Sequence, residues 1–440
     1  MNSNIREIYY KIKESTFAKS VILIAGGTAA AQGINVILTP IITRIYSPEE
    51  FGVLSLFVAL MGILSTVASL RYEWAIPIAN DDDEVTNIIV LCFIILILIS
   101  SSISLTLVVG GEKLMRFFGA EALLDYSYLI PIGVISIGFY NIMIQLSFRI
   151  KNYKGISKTK FNQSLSQNIT KIFLGILNCG ASGLILGNII GQSAGITTLA
   201  STALKSNRFK VTKASKQKIK DSAKRYIKFP IFSASSQFFN SAGLQLPTII
   251  MTAMYGSKIV GYYALANSII SIPMDLIGSS IGDVFYGEAA SIGRSKPEEL
   301  KKLSTDLFKK LILVGILPLV ILILGGPLLF SLVFGTSWYQ AGIYAQILSL
   351  LVFARLIFTP ISRIYSVFER QKEAFIIDLL RVVLVIIVFV VAHSIKLTSY
   401  YTVGMYTIAM SVIYFITYIV AQRIINHEIN IKRINNLEEK

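Results

Sequence analysis

Charge is scarce in this sequence. Only 15% of its 440 residues are Asp, Glu, Lys or Arg and 54% are hydrophobic, where soluble domains carry roughly 25% charged and 45–50% apolar residues. Cysteine is nearly absent. Cys92 and Cys179 each lie in an apolar run without CxxC spacing, which excludes a disulfide framework or a thiolate metal centre and marks both as buried bystanders. His393 and His427 stand alone, so there is no histidine cluster for metal or proton chemistry. Also missing are a phosphate-binding glycine loop, a metal-ligand spacing and a nucleophile paired with a base. A membrane-embedded glycosyltransferase or polymerase would want a large extramembrane loop carrying acids or a metal motif. The longest loop here, Lys205–Lys228, is basic and holds one acid, Asp221. The chain is therefore expected to move a substrate and not to transform one: no enzyme, no cofactor, no metal.

The apolar excess, with mean hydropathy +0.65, cannot be hidden in soluble cores, because single cores stop growing near 250–300 residues. Lipid must be the solvent for much of this surface. A bilayer core of about 30 Å needs about 20 mostly apolar helical residues. That rule places spans near 20–45, 51–78, 85–110, 122–147, 157–181 and 183–204. After a polar break come 229–255, 260–287, 307–333, 340–366, 373–394 and 398–422. The fifth and sixth are polar and separated only by Asn178–Gly183. Met1–Lys19 carries no cleavage site, so the first span is expected to serve as the targeting signal.

The net charge of +16 does not indicate nucleic acid, because the basic residues fall in short segments between apolar runs. Arg149–Lys160 holds five Lys/Arg, Lys205–Lys228 ten and Arg294–Lys310 six, while the alternate connections hold few: Lys113 and Arg116, Lys258, and Lys396. By the positive-inside rule both termini are cytoplasmic. The acidic Asn80–Glu84 lies on the cytoplasmic side as a partial exception, and acids count little in that rule. The basic linker is expected to contact anionic lipid headgroups.

The two halves resemble each other. Ile45-Tyr46-Ser47-Pro48-Glu49-Glu50-Phe51-Gly52 recurs as Met254-Tyr255-Gly256-Ser257-Lys258-Ile259-Val260-Gly261, each an outer turn between the first two spans of its half. The expected fold is all-α integral membrane, with twelve transmembrane helices in two six-helix bundles. A pseudo-twofold along the membrane normal would relate them. The bundles would occupy 1–204 and 229–440, with 205–228 a cytoplasmic linker and a short cytoplasmic tail at the end.

The run LTPIITRIYSPEEFGVLSLFVALMGILSTVASLRYEWAIPI, with Phe51-Gly52 and Ala68-Ser69-Leu70-Arg71-Tyr72-Glu73, resembles the opening of bacterial oligosaccharide flippases of the O-antigen and capsule type. These belong to the multidrug/oligosaccharidyl-lipid/polysaccharide exporter superfamily. The basic, aromatic Phe148-Arg149-Ile150-Lys151-Asn152-Tyr153 is similar to theirs as well. The resemblance implies inner-membrane transport of a polyprenyl-diphosphate-linked oligosaccharide to the outer leaflet by alternating access. It serves surface polysaccharide synthesis, with a coupling ion (proton or sodium) and a polysaccharide polymerase as partners.

Polar stripes at helical spacing point the same way. They are Thr28, Gln32, Asn35 and Thr39 in the first span; Gln163, Gln167 and Lys171 in the fifth; Ser233, Gln237, Asn240, Gln245, Thr248 and Thr252 in the seventh; and Asn267, Ser271, Asp275, Ser279 and Asp283 in the eighth. Each such side must face protein or water. Singly, these residues need be no more than interhelical hydrogen bonds worth about 0.6 kcal/mol. Together they suggest a water-filled cavity lined by the first, second, seventh and eighth spans.

Charges inside spans are sharper, since each costs about 2.5–3.5 kcal/mol to insert. Lys171, about 13 residues and so roughly 20 Å into its span, and Arg355 are the hardest to explain by snorkelling. With Arg71 they are candidates to hold the diphosphate. Gln32, Asn35, Gln237, Asn240 and Asn267 are candidates to contact sugars. Asp275, Asp283 and Glu73 either bind the coupling ion or neutralise the cations, and the two readings stay open. Asp378 and Arg381 fit a structural ion pair on one helix face, and Arg363 an interface anchor. The alternative function is a multidrug or toxin antiporter of the same superfamily, which would want acids where the first span has Gln32 and Asn35.

Overall fold

The computed structural model describes residues 16–205, 214–293 and 296–438. The expected polar N-terminal segment, part of the basic linker and Arg294 lie partly or wholly outside them. Among the described residues the chain is helical, with no strand. In order the helices are α1 (Thr16–Ile45), α2 (Pro48–Leu64), α3 (Asp82–Phe117), α4 (Leu129–Arg149), α5 (Tyr153–Ile176), α6 (Ala181–Lys205) and α7 (Lys216–Arg225). They continue as α8 (Ser235–Ile292), α9 (Pro297–Phe334), α10 (Tyr339–Phe358), the short α11 (Ile364–Val367), α12 (Gln371–Ser394) and α13 (Ser399–Glu438).

Nine helical segments among the described residues are long and apolar enough to cross a membrane, and the chain is an all-α, multi-pass membrane protein. The 17-residue α2 is shorter than that criterion allows, and α5 is too polar to meet it. The 58-residue α8 counts once, although Gly256 (φ 79°) breaks it into two arms. The twelve passes expected from sequence would require α2, α5 and each arm of α8 to cross as well.

Local chemistry sets several boundaries. Ser47 and Glu50 form a reciprocal cap at the start of α2: Glu50 N–H donates to Ser47 Oγ at 3.3 Å and Ser47 N–H to Glu50 Oε2 at 2.6 Å. The expected span 51–78 is not one helix. Ser65 and Thr66 turn their hydroxyls back onto Gly62 and Ile63 carbonyls, offering the backbone an alternative to further helix. Leu70 and Arg71 then adopt positive φ, and Tyr72–Ile78 continues as a 3-10 turn. Asp81 caps α3 by accepting from Glu84 N–H at 2.7 Å, and Asp82, Asp83 and Glu84 follow in its first turn, where a helix dipole favours acids.

Two compact units emerge, Met1–Val260 and Gly261–Lys440. The division falls within α8 and not in the linker 205–228, because the first arm of α8 packs onto α2. Ser241 Oγ donates to the Gly62 carbonyl at 2.7 Å, and Gly52 has no room for a Cβ against the Ser257 backbone. The two copies of the internal repeat thus meet at bare backbone.

In the first unit Leu56, Phe57, Ile88, Leu96, Ile142 and Leu184 are almost fully buried. Its α5–α6 pairing explains how two such polar helices coexist. Gly183, Gly187, Gly191 and Gly195 recur every turn on α6. A Cβ on Gly187 would lie 2.5 Å from Lys171 Cγ, one on Gly191 2.7 Å from Gln167 Cβ, and one on Gly195 2.5 Å from Gln163 Nε2. The polar stripe of the fifth span therefore lies against a glycine ridge. Asn178 and Gly180, both at positive φ, turn the chain between the two helices. Cys92 is buried as expected, whereas Cys179 is exposed in this turn.

In the second unit Trp338, Tyr344 and Ile361 are among the fully enclosed positions. Phe308 stacks on Tyr418 at 4.9 Å, and Tyr344 Oη donates to Ser399 Oγ at 2.6 Å. Pro360 begins the irregular turn that interrupts the expected 340–366 span.

Overpacking this kind of contact costs typically about 1–3 kcal/mol. Gly187→Val is expected to lower the melting temperature in detergent, whereas Gly26→Ala on α1, where a Cβ meets nothing within 4 Å, leaves it unchanged. Equal melting of Gly187→Val and wild type would show the ridge to be dispensable.

Candidate functional site

Lys171 stands apart from the other cations. Its side chain lies along Gly187 and the residue is 7% exposed. Its own carbonyl accepts from Tyr46 Oη at 2.7 Å, tying the end of α1 to α5. Among the described residues its ammonium has neither an ion-pair nor a hydrogen-bond partner. Because α5 ends at Ile176, Lys171 sits roughly one and a half turns from that end, nearer it than the expected span 157–181 implied.

Next to it runs a polar seam between α1 and α5. Asn35 Oδ1 accepts from Ser164 Oγ at 2.8 Å and from Asn168 Nδ2 at 2.7 Å, and Ser164 Oγ also meets the Ala31 carbonyl at 2.8 Å. Gln163 Nε2 donates to Gln192 Oε1 at 3.0 Å across α5–α6. Asn35 is thus engaged in holding helices together, and Gln32 beside it is half-buried. On the first arm of α8, Gln237 is half-buried and Asn240 exposed.

The remaining candidate cations are paired. Arg71 meets Glu73 at 3.4 Å, and Glu73, 1% exposed, also accepts from Ser69 Oγ at 2.6 Å. Arg71 lies over the Trp74 ring at 5.0 Å. In the second unit Arg355 meets Asp275 at 2.6 Å and Arg363 meets Asp283 at 3.2 Å. Arg381 meets Asp378 at 2.9 Å, the within-helix pair expected from their spacing. Asp275 and Asp283 thus each lie beside an arginine. Asn267, half-buried, accepts from Ser271 Oγ at 3.4 Å.

One polar arrangement had no counterpart in the sequence reading. The acidic Asn80–Glu84 meets the basic linker helix α7. Arg225 pairs with Glu84 at 2.7 Å and reaches Asn80 Oδ1 at 3.3 Å, Lys218 lies 3.8 Å from Asp83, and Ser215 N–H donates to Asn87 Oδ1 at 3.0 Å. Tyr72 Oη donates to the Ala223 carbonyl at 3.0 Å. The acids that ran against the charge rule thus serve as the dock for α7. Opposite charge in two polar connecting segments was the available signal.

The family described as polysaccharide biosynthesis protein matches residues 41–343. The succinoglycan biosynthesis transport protein ExoT of Rhizobium meliloti (strain 1021) is 24% identical over 338 residues, which are 75% of this chain and 64% of that protein. This chain thus spans less than two thirds of that relative's length. Among solved structures, the lipid II flippase MurJ in an inward closed conformation superposes with TM-score 0.70 at 17% identity, covering 91% of this chain and 87% of the other. An inward-facing multidrug resistance transporter of the MATE family gives TM-score 0.68 at 16% identity, covering 92% and 96%. A transporter of the same superfamily from Pyrococcus furiosus gives 0.59 at 15%, covering 93% and 96%. These likenesses establish the fold.

Removing one member of an ion pair strands the other charge, so Asp275→Asn is expected to destabilise the second unit by about 2–3 kcal/mol. The double variant Asp275→Asn, Arg355→Gln should recover part of that loss. Additive losses in this double-mutant cycle, followed by thermal melting, would show the pair to be uncoupled.

Proposed function

The chain belongs to the polysaccharide biosynthesis protein family, and on that premise we propose that it carries a polyprenyl-diphosphate-linked oligosaccharide from the cytoplasmic to the outer leaflet of the inner membrane. Alternating access of two helix bundles moves the cargo, and a polysaccharide polymerase receives it. The basic connections support cytoplasmic termini. The ExoT relative and the MurJ neighbour carry names of the same kind.

The observation that carries the reading is Lys171: a buried ammonium without a counter-charge among the described residues. A buried charge is stable only when paired, and a diphosphate supplies what the chain does not. Arg71 becomes available to cargo only when Glu73 lets go, and, in the second unit, Arg355 only when Asp275 does. Protonation or sodium binding at Asp275 would release Arg355, which is how an ion gradient enters the cycle. A drug antiporter is less favoured, because cationic cargo calls for acids and α1 presents Gln32 and Asn35.

Lys171→Met removes a charge-assisted contact of about 1.5–3 kcal/mol, so translocation should fall roughly 10- to 100-fold, with protein still in the membrane. Surface glycan at wild-type levels in that variant would remove Lys171 from the mechanism. Flipping in sealed vesicles is expected to stop when proton and sodium gradients are collapsed, and an unchanged rate would reject ion coupling.

A further inference from the structure

The N-terminus of α5 places cations where a helix prefers anions. Asn152 caps it by accepting from Gly155 N–H at 3.0 Å, and the first turn contains no acid. Lys154 and Lys158 follow, one turn apart. A helix N-terminus carries roughly half a positive charge, and like charges at i,i+4 repel, so Lys154 is unfavourably placed twice over and Lys158, beyond the first turn, once. Among the described residues neither has an ion-pair partner.

Both line a pocket of about 420 Å³. Asn162 continues their stripe on α5, and Thr197, Thr198 and Ser201 form the facing wall from the last turns of α6. Among the described residues no carboxylate and no large apolar side chain lines it. Asn162 Nδ2 is fixed by Thr198 Oγ1 at 3.1 Å. The Thr197 and Ser201 hydroxyls rest on carbonyls of their own helix and can rotate towards a ligand. Asn152 also lines it, with its Nδ2 enclosed against Gly155 and no acceptor. Two exposed ammonium groups therefore share one concavity with the Asn162 amide and the Thr197 and Ser201 hydroxyls, a set of donors suited to an anion.

We propose that this pocket binds a phosphate-bearing group at the basic face of the membrane. The chemistry is common to the diphosphate of a lipid-linked sugar and to the headgroup of an anionic phospholipid. The site stands independently of Lys171 and of translocation.

The test uses the full-length protein in uncharged detergent, with inorganic pyrophosphate and phosphatidylglycerol as separate probes. Binding is followed by native mass spectrometry and thermal shift. Wild type binds at least one probe. The double variant Lys154→Gln, Lys158→Gln loses about tenfold or more in affinity, and the double arginine variant retains it. Without probe, the glutamine variant melts no lower than wild type, since it sheds a like-charge pair, which separates lost binding from misfolding. Pyrophosphate binding identifies a diphosphate site, and retention of phosphatidylglycerol alone identifies a headgroup site. Equal affinity of the glutamine variant and wild type for both probes, or no binding of either to wild type, overturns the proposal. Repeating the titration with Lys154→Gln, Lys158→Gln in a Lys171→Met background reports this pocket alone, so this test and the translocation test fail separately.

Discussion

Hydrocarbon supplies no water to solvate a charge, so a cation in a membrane helix must find its counter-charge within the protein or in a ligand. That constraint organises most of the polar structure here. Arg355, Arg363 and Arg381 in the second unit, and Arg71 in the first, each meet a carboxylate. Where an arginine lacks one, it takes carbonyls: Arg149 donates to Pro77 and Ala79 oxygens at 3.2 and 2.5 Å, closing the end of the 3-10 turn. Set against this pattern, Lys171, the buried lysine of α5 with no acid beside it among the described residues, is a departure.

The same constraint acts on neutral polar groups through packing. Helix α5 carries so many amides and hydroxyls that it would be a poor lipid-facing helix. It is tolerated because α1 and α6 cover it. The glycine ridge of α6 lets the α5 backbone come close, so Gln163, Gln167 and Lys171 lie flat against it. Asn35 closes the α1 side with two side-chain hydrogen bonds. Such bonds average only about 0.6 kcal/mol each in membranes, so close backbone approach has to supply the rest.

Much of the architecture was legible because hydropathy and basic connections report the solvent of each segment directly. The site was less so, for identifiable reasons. Polar stripes say that a helix face avoids lipid, yet they do not distinguish a neighbouring helix from a cavity. The α5 stripe faces α6, and the clue was Gly183, Gly187, Gly191 and Gly195 at a four-residue spacing. The span containing Arg71 seemed continuous because two non-glycine residues at positive φ, Leu70 and Arg71, leave no composition signal. Whether Asp275 and Asp283 serve an ion or an arginine is a question of distance, which no spacing between separate helices discloses. The cap at Ser47 starts α2 at Pro48, ahead of the expected 51, because hydropathy registers the apolar run and not the polar turn that opens the helix.

The division between paired arginines and unpaired lysines also bears on how a cargo could be held and released. A guanidinium grips phosphate through a planar fork that fixes orientation, whereas an ammonium is a point charge on a flexible stem. A carrier must bind tightly enough to load and loosely enough to unload. On the proposed reading, lysines suit that requirement: they attract a diphosphate without dictating its angle, so the glycan can reorient as it passes. The arginines, held by their acids, would grip only in states where those acids are protonated or ion-bound. Tight, oriented binding would then be confined to one part of the cycle, and a fixed scaffold would alternate between holding and letting go.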